Sequence, residues 1–544
     1  MSAHQANSFR RRASRQTRVG LIAVTTVAVG SLVVSACGSG RTDSGSSSDS
    51  GAAITVGTTD QVSFIDPAGS YDNGSLAVMK VVYPFLMDFE PGSGTLKPSA
   101  AQSCSFTSTT VYSCTLKKGL TFANGDPLTA QAVKYSFDRI VKINDPNGPS
   151  SLLANLKSTD APDDTTVNFT LTEPNDQTFP QLLGTNVGPI VDPKVFPADK
   201  VLDDDAIVKG KAFGGQYTID SYDKNKLVEF VKNPNYQGLL GAPKTDKVRL
   251  KYYTQATNLK LAIEQGEIDL AYRSLTPTDV GALRKNSALT VHEGPGGELR
   301  YLVFNLNTMP GGTPEQKLAV RKAIASSVDR DAIAKDVYQG TFSPAYSMIV
   351  GGLPGATDAY KKYGEKPDAA AAKKYLTDAG ISTPVSVNLW YNPDHYGSSS
   401  ADEYAKVKAQ LEATGLFRIT LSSANWQTYS KDRVKNTYPV YQLGWFPDFP
   451  DADNYLTPFL DKNNFLKSGF ENPEISAMLS QERSELDPAK RAAIITDIQN
   501  IVADRHIPTL PLLQGKQIAV SRNNIDGVTL DKSFTLHVGT LSKK

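Results

Sequence analysis

The 544-residue sequence predicts an α/β protein. Three observations carry that reading. Stretches with the two-residue alternation of strands are interleaved with stretches of helical spacing. No internal repeat runs along the chain. No clean linker divides the body into sequential domains, so its strands and helices come from interrupted segments.

The elements follow in chain order. Residues 52–59, AAITVGTT, read as a strand passing from exposed to buried. Cys104 and Cys114 flank SFTSTTVYS, which reads as two short strands and a turn. Residues 127–140 open with Thr129 as an N-cap and continue with helical spacing at Val133, Phe137 and Ile140. TTVNFTLTEP (165–174) and KVRLKYYT (247–254) alternate as strands do. Thr276-Pro277-Thr278-Asp279 is an N-cap, a proline at the first helical position and an acid in the first turn. Thr313-Pro314-Glu315-Gln316 repeats that signal before one longer helix reaching Tyr338. An apolar run, Tyr438 to Trp445, leads into WFPDFP, where Pro447 and Pro450 exclude a regular helix or a central strand. Residues 473–505 give two amphipathic helices parted near Asp487-Pro488.

The N-terminus bears on compartment. Arg10, Arg11, Arg12, Arg15 and Arg18 precede an apolar stretch from Val19 to Ala36, the pattern of a signal peptide. Val34-Ser35-Ala36-Cys37 resembles a bacterial lipobox, so 1–36 is expected to be a lipoprotein signal peptide and Cys37 the lipidated first residue. Residues 37–52 then form a Gly/Ser tether too polar to join a core. A diacylated cysteine anchors stably where a single chain does not. Removing 36 residues with five arginines and no acid takes the net charge from +1 to −4, which argues against a nucleic-acid surface. In an exported chain, Cys104 and Cys114 are most simply a disulfide.

The five histidines (His4, His292, His395, His506, His537) show no metal-ligand spacing. There is no G-x-S-x-G elbow, P-loop or G-x-G-x-x-G. The WFPDFP loop poses the sharper question. A carboxylate held in a stiff aromatic loop serves catalysis, a metal, a helix cap or capture of a cation.

Several stretches in a fixed order carry a resemblance. They are FIDPAGSYDNGSLAVMKVVYPFLMDFE, CTLKKGLTFANGDPLTAQAVKYSFDRI, GGQYTIDSY followed by NPNY, AIEQGEIDL, and VFNLNT with AVRKAIASSVDRDAIAKDVYQGTFSPA. Together they make the mature chain similar to the family 5 solute-binding proteins of peptide ABC importers. The resemblance implies a periplasmic-binding-protein-like bilobed clamshell with an additional domain (type II, cluster C). It implies domain I from 53–80, 213–301 and 516–544, domain II from 81–212, and domain III from 302–515.

It also implies a site. In peptide-binding members an aspartate of a G-W-x-x-D-Y loop pairs with the peptide's α-ammonium, and Asp448 stands at that position behind Trp445 and Phe446. Asp451 and Asp453 suit helix caps better. Trp426 and Arg433 match a tryptophan and an arginine on the binding side. Gln442 departs from an arginine that holds the ligand's carboxylate in some members. Asp72, Tyr71 and His395 are further candidates. The expected function is a monomeric, lipid-anchored receptor on the outer face of the cytoplasmic membrane. It would deliver peptides to a permease and ATPase, without cofactor, metal or catalysis. The alternatives are a nickel-complex, oligosaccharide or opine-like cargo, or a peptide-signal sensor on the same fold.

Overall fold

Strand Ile54–Thr58 lies at the centre of a seven-stranded mixed sheet in a computed structural model that describes residues 53–273, 275–462 and 464–544. The signal segment, Cys37 and the whole of the expected tether lie outside those residues. The sheet order is 289–294, 517–522, 270–272, 54–58, 247–252, 227–232, 217–223. The central strand runs parallel to both neighbours, and Ile54 and Val56 are buried. Helix Asn73–Val82 packs Val78, Met79 and Val82 into the core that includes them.

A six-stranded sheet has the order 342–344, 509–515, 299–304, 440–445, 385–391, 417–423. The chain passes from one sheet to the other twice. Residues 295–298 join strand 289–294 to 299–304, and Lys516 alone separates 509–515 from 517–522. Gly294 pairs with Gln517 and Leu299 with Gln514, so the two crossings run side by side.

A four-stranded antiparallel sheet, 101–108, 111–116, 166–171, 156–160, has its own core with helix Ala130–Ile143. Val133, Phe137 and Ile140 are buried along one stripe of that helix, as their spacing predicts. Thr129 stands at the N-cap position but makes no capping hydrogen bond. Cys104 and Cys114 face each other across the 101–108/111–116 ladder and are disulfide-bonded.

The Thr276 capping box forms as expected and opens helix Pro277–Leu283. The single long helix expected after Thr313 does not form. Helix Pro314–Ala325 ends, and Arg330–Asp336 begins anew with Asp329 accepting from the Ala332 amide at 2.9 Å. Ser327 turns its hydroxyl back onto the Ala323 carbonyl at 2.7 Å, a local bond that competes with helix continuation. Helices Pro473–Ser484 and Pro488–Arg505 part where the proline predicts.

One ion pair joins the first sheet's loop to the four-stranded body. Asp66, in the segment leading to Tyr71, receives Arg139 at 2.7 and 2.6 Å in a bidentate pair. Both side chains are essentially inaccessible. Asp66 also accepts from the Ala68 and Leu202 amides, at 2.9 and 2.6 Å. Arg139 donates to the carbonyls of Pro197 and Lys200 at 2.6 and 2.8 Å. All three guanidinium nitrogens and both carboxylate oxygens are engaged, the condition under which a buried pair is tolerated. Arg139→Met, which leaves Asp66 buried without its cation, should destabilise by about 3–5 kcal/mol. Equilibrium urea denaturation measures this, and a loss under about 1 kcal/mol would show the pair to be dispensable.

Candidate ligand-binding site

Strand Val440–Trp445 delivers the loop 446–450 to the edge of the six-stranded sheet that faces the first sheet. Asp448 is held from three directions. One carboxylate oxygen accepts from the Tyr71 hydroxyl, which comes from the first sheet's side. The other accepts from Asn454 Nδ2 at 3.3 Å. The Asp448 backbone amide donates to Asn454 Oδ1 at 2.9 Å, and the Trp445 indole donates to the same oxygen at 3.3 Å. Asn454 is buried in the short 3-10 helix Ala452–Tyr455, whose N-cap is Asp451. Asp451 in turn takes a bidentate pair from Arg491 at 2.7 and 2.7 Å, so the cap is itself anchored.

The neighbouring side chains spread outward. Phe446 is 38% exposed and lies 5.8 Å from the Arg273 guanidinium of the first sheet's side. Arg273 pairs with Asp60 at 3.2 Å. Phe449 is buried in the core of the four-stranded body. Five residues thus touch all three packed bodies. Burial raises the Asp448 carboxyl above its ordinary value, while Tyr71 and Asn454 pull it back. Among the described residues no lysine or arginine pairs with it. A half-buried carboxylate without a cation, at a seam between bodies, is suited to receive one.

The other expected residues divide. Trp426 opens helix Trp426–Asp432 and stacks face to face on His395 at 3.9 Å, with Tyr396 edge-on at 5.6 Å. Both rings stand at the same sheet edge as Asp448, since strands 385–391 and 417–423 run parallel to one another and the former also to 440–445. Gln442 does not reach the cleft. It is fully buried, accepts from the Asn392 amide at 2.9 Å and donates to Ser400 at 3.1 Å. Its place in the strand turns it toward the helix Ser400–Ala413. Asp72 is the N-cap of helix Asn73–Val82, and Ser75 and Ser63 occupy its carboxylate. Arg433 donates to the Phe465 carbonyl at 3.0 Å and lies over the Phe465 ring, behind Trp445.

The model of the bacterial extracellular solute-binding proteins, family 5, matches residues 95–467. The chain belongs to this family. A probable D,D-dipeptide-binding periplasmic protein, DdpA of Escherichia coli, is 26% identical over 90% of this chain and 94% of its own. The oligopeptide-binding protein OppA of Bacillus subtilis is 25% identical over 93% and 96%. The crystal structure of the ABC transporter substrate-binding protein CtaP of Listeria monocytogenes superposes with a TM-score of 0.77 at 23% identity, covering 91% of this chain and all of that one. AgaA of Agrobacterium tumefaciens, in complex with agropinic acid, superposes with a TM-score of 0.68 at 20% identity, over 91% and 99%. The fold of this family 5 protein is therefore the bilobed, periplasmic-binding-protein type with mixed α/β sheets.

Three residues at the site were not anticipated from sequence. Asn454 was hidden because its role exists only once the 3-10 turn brings it back on Asp448. Arg273 sits in the left-handed region at φ 61°, directly after strand 270–272. Arg300 follows the first crossing and is buried between Tyr396 and Phe342, with Glu298 at 2.5 Å. An arginine in an otherwise apolar strand, LRYLVF, was the available signal.

Near Arg300, Glu403 is fully buried and accepts from the Tyr338 hydroxyl at 2.7 Å. Burial lifts its carboxyl to about 7, with Arg300 and Tyr338 opposing the rise. The native group keeps its proton up to about pH 7, while the unfolded one releases it near 4.5. The unfolded state binds fewer protons across that window, so stability falls as pH rises through it. Glu403→Gln should abolish a loss of up to about 3 kcal/mol. Denaturation at about pH 5 and about pH 8 checks this, and an unchanged slope in the variant would assign the effect elsewhere.

Proposed function

We propose that the protein is an extracytoplasmic receptor of an ABC importer that captures peptides by their free amino end. The first lobe is formed by 53–80, 213–301 and 516–544, the second by 302–515, with 81–212 as the additional domain. The lobes close on the ligand about the two adjacent crossings, and the loaded receptor delivers it to a permease and ATPase. Cys37 carries the lipid that holds the receptor at the outer face of the cytoplasmic membrane. Its work is reversible capture, without catalysis or cofactor.

The observation that carries this reading is the Asp448 carboxylate. It is held by Asn454, flanked by aromatic residues, unneutralised by any cation among the described residues, and placed where three bodies meet. Every unmodified peptide presents one ammonium at its start, so such a carboxylate selects peptides without reading their sequence. Two prolines limit the conformations the loop must give up on binding. The family and the peptide-binding names of DdpA and OppA support the same reading. A second reading, a non-peptide solute with no carboxylate end to be held, is favoured by one observation. Gln442 is sequestered in the second lobe and supplies no charge for a peptide's far end.

Asp448→Asn keeps the shape and removes the charge. Affinity for a free-amine peptide should fall by the 2–5 kcal/mol typical of a truncated buried pair, about 30- to several-thousand-fold. N-acetylating the peptide should weaken wild-type binding comparably, and the two changes together should cost less than their sum. Wild-type affinity should also decline as pH falls through the raised Asp448 value, and the variant's should not. Calorimetry on the four combinations decides it. Additive losses would mean that the ammonium is read elsewhere. Mass spectrometry of the solute that co-purifies separates peptide from non-peptide cargo.

A further inference from the structure

A second space lies inside the first lobe, between the seven-stranded sheet and helix Asn73–Val82. It encloses about 70 Å³. Its floor is Val56, Val248 and Leu250, and its walls include Leu76 and Ala77 of the helix and Leu536 of the C-terminal segment. Ala77 is exposed and Leu76 half-buried, so two apolar side chains of the wall remain open to what enters. The one ammonium among the lining groups, on Lys80, is committed to Asp88 at 2.6 Å. Tyr252, a buried lining ring, ends in a hydroxyl with no hydrogen-bond partner.

The rim ties this chamber to the site already described. Asn73 follows Tyr71 by two residues, and the Tyr71 hydroxyl reaches Asp448. Asp60 and Arg273 form the opposite rim, and Arg273 faces Phe446 across the seam. The chamber therefore opens beside the loop that carries Asp448. We propose that it is a specificity pocket for an aliphatic side chain on the ligand residue that bears the free ammonium. The proposal rests on the amino-end reading given above.

Size selects the occupant. An apolar cavity of about 150 Å³ stays dry and takes a benzene ring. The chamber has less than half that space. It accommodates a branched group of three or four carbons and rejects a phenyl ring. Burying those carbons is favourable because most of the chamber's lining is apolar. No charged group competes for the space, since Lys80 is paired with Asp88 and Arg273 with Asp60.

The test is calorimetric, on the full-length protein with three tripeptides: Leu-Ala-Ala, Ala-Ala-Ala and Phe-Ala-Ala. The leucine peptide should bind about tenfold more tightly than the alanine one, and the phenylalanine peptide no better than alanine. Ala77→Leu fills the chamber from an exposed helical position and keeps a strong helix former. In that variant the ratio of leucine to alanine affinity should fall to about one or below. Equal affinities for all three on the wild type, each weakened by Asp448→Asn, would overturn the chamber and leave the amino-end reading standing. Tighter binding of the phenylalanine peptide would also overturn it. Failure of all three to bind would remove the amino-end reading and the chamber together.

Discussion

The buried pair of Asp66 with Arg139 is the constraint on which the site depends. Asp66 lies between the central strand and the helix Asn73–Val82, in a segment of irregular backbone. Such a segment gains little from its own hydrogen bonds and needs an external clamp. Arg139 supplies it from the four-stranded body and at the same time binds the carbonyls of Pro197 and Lys200. Two stretches of loop and one helix are thereby fixed to one another. Tyr71, which reaches Asp448 across the seam, lies five residues further along the clamped segment. Geometry at the Asp448 seam is thus set by a charge pair buried away from it.

The opposite side of the seam is organised on the same plan with different chemistry. Arg491 holds Asp451, Asp451 caps the 3-10 turn, and the turn presents Asn454 to Asp448 and Trp445. Glu482 and Asp453 complete this cluster. Glu482 is fully buried and bonded to Arg491 at 2.9 Å, and burial raises its carboxyl, with Asp453 adding to the rise. Three acids around one arginine remain compatible with a buried site because a proton is retained among them. Asp448 differs from Asp451 and Glu482, both paired with Arg491, in having no cation partner among the described residues.

Much of this was legible in the chain. Local rules found the Thr276 capping box, the break at Pro488, the hairpin joining the two cysteines and the irregular loop after Trp445, because each depends on residues within one or two turns. The family resemblance supplied the fold. Gln442 and Asp72 were misplaced for different reasons. In a strand buried on both faces, Val440–Trp445, no polar alternation shows which face a side chain takes. The burial of Gln442 only becomes apparent once Ser400 and Asn392 are beside it. Asp72 carried a readable signal, an aspartate three residues before Ser75 at the start of a helix, which weighed less than its proximity to the family's opening motif. Asn454 and Arg273 depend on contacts between distant segments, and sequence spacing holds no record of those.

Phe449 has an energetic consequence beyond the site. It belongs to the loop after strand 440–445, yet its ring is buried in the core of the four-stranded body. Separating that loop from the body would draw the ring into water, at a cost of about 1.5–3 kcal/mol. If the lobes move as proposed, this ring biases them toward the arrangement described here and couples the four-stranded body to that motion through a side chain other than the Asp448 carboxylate.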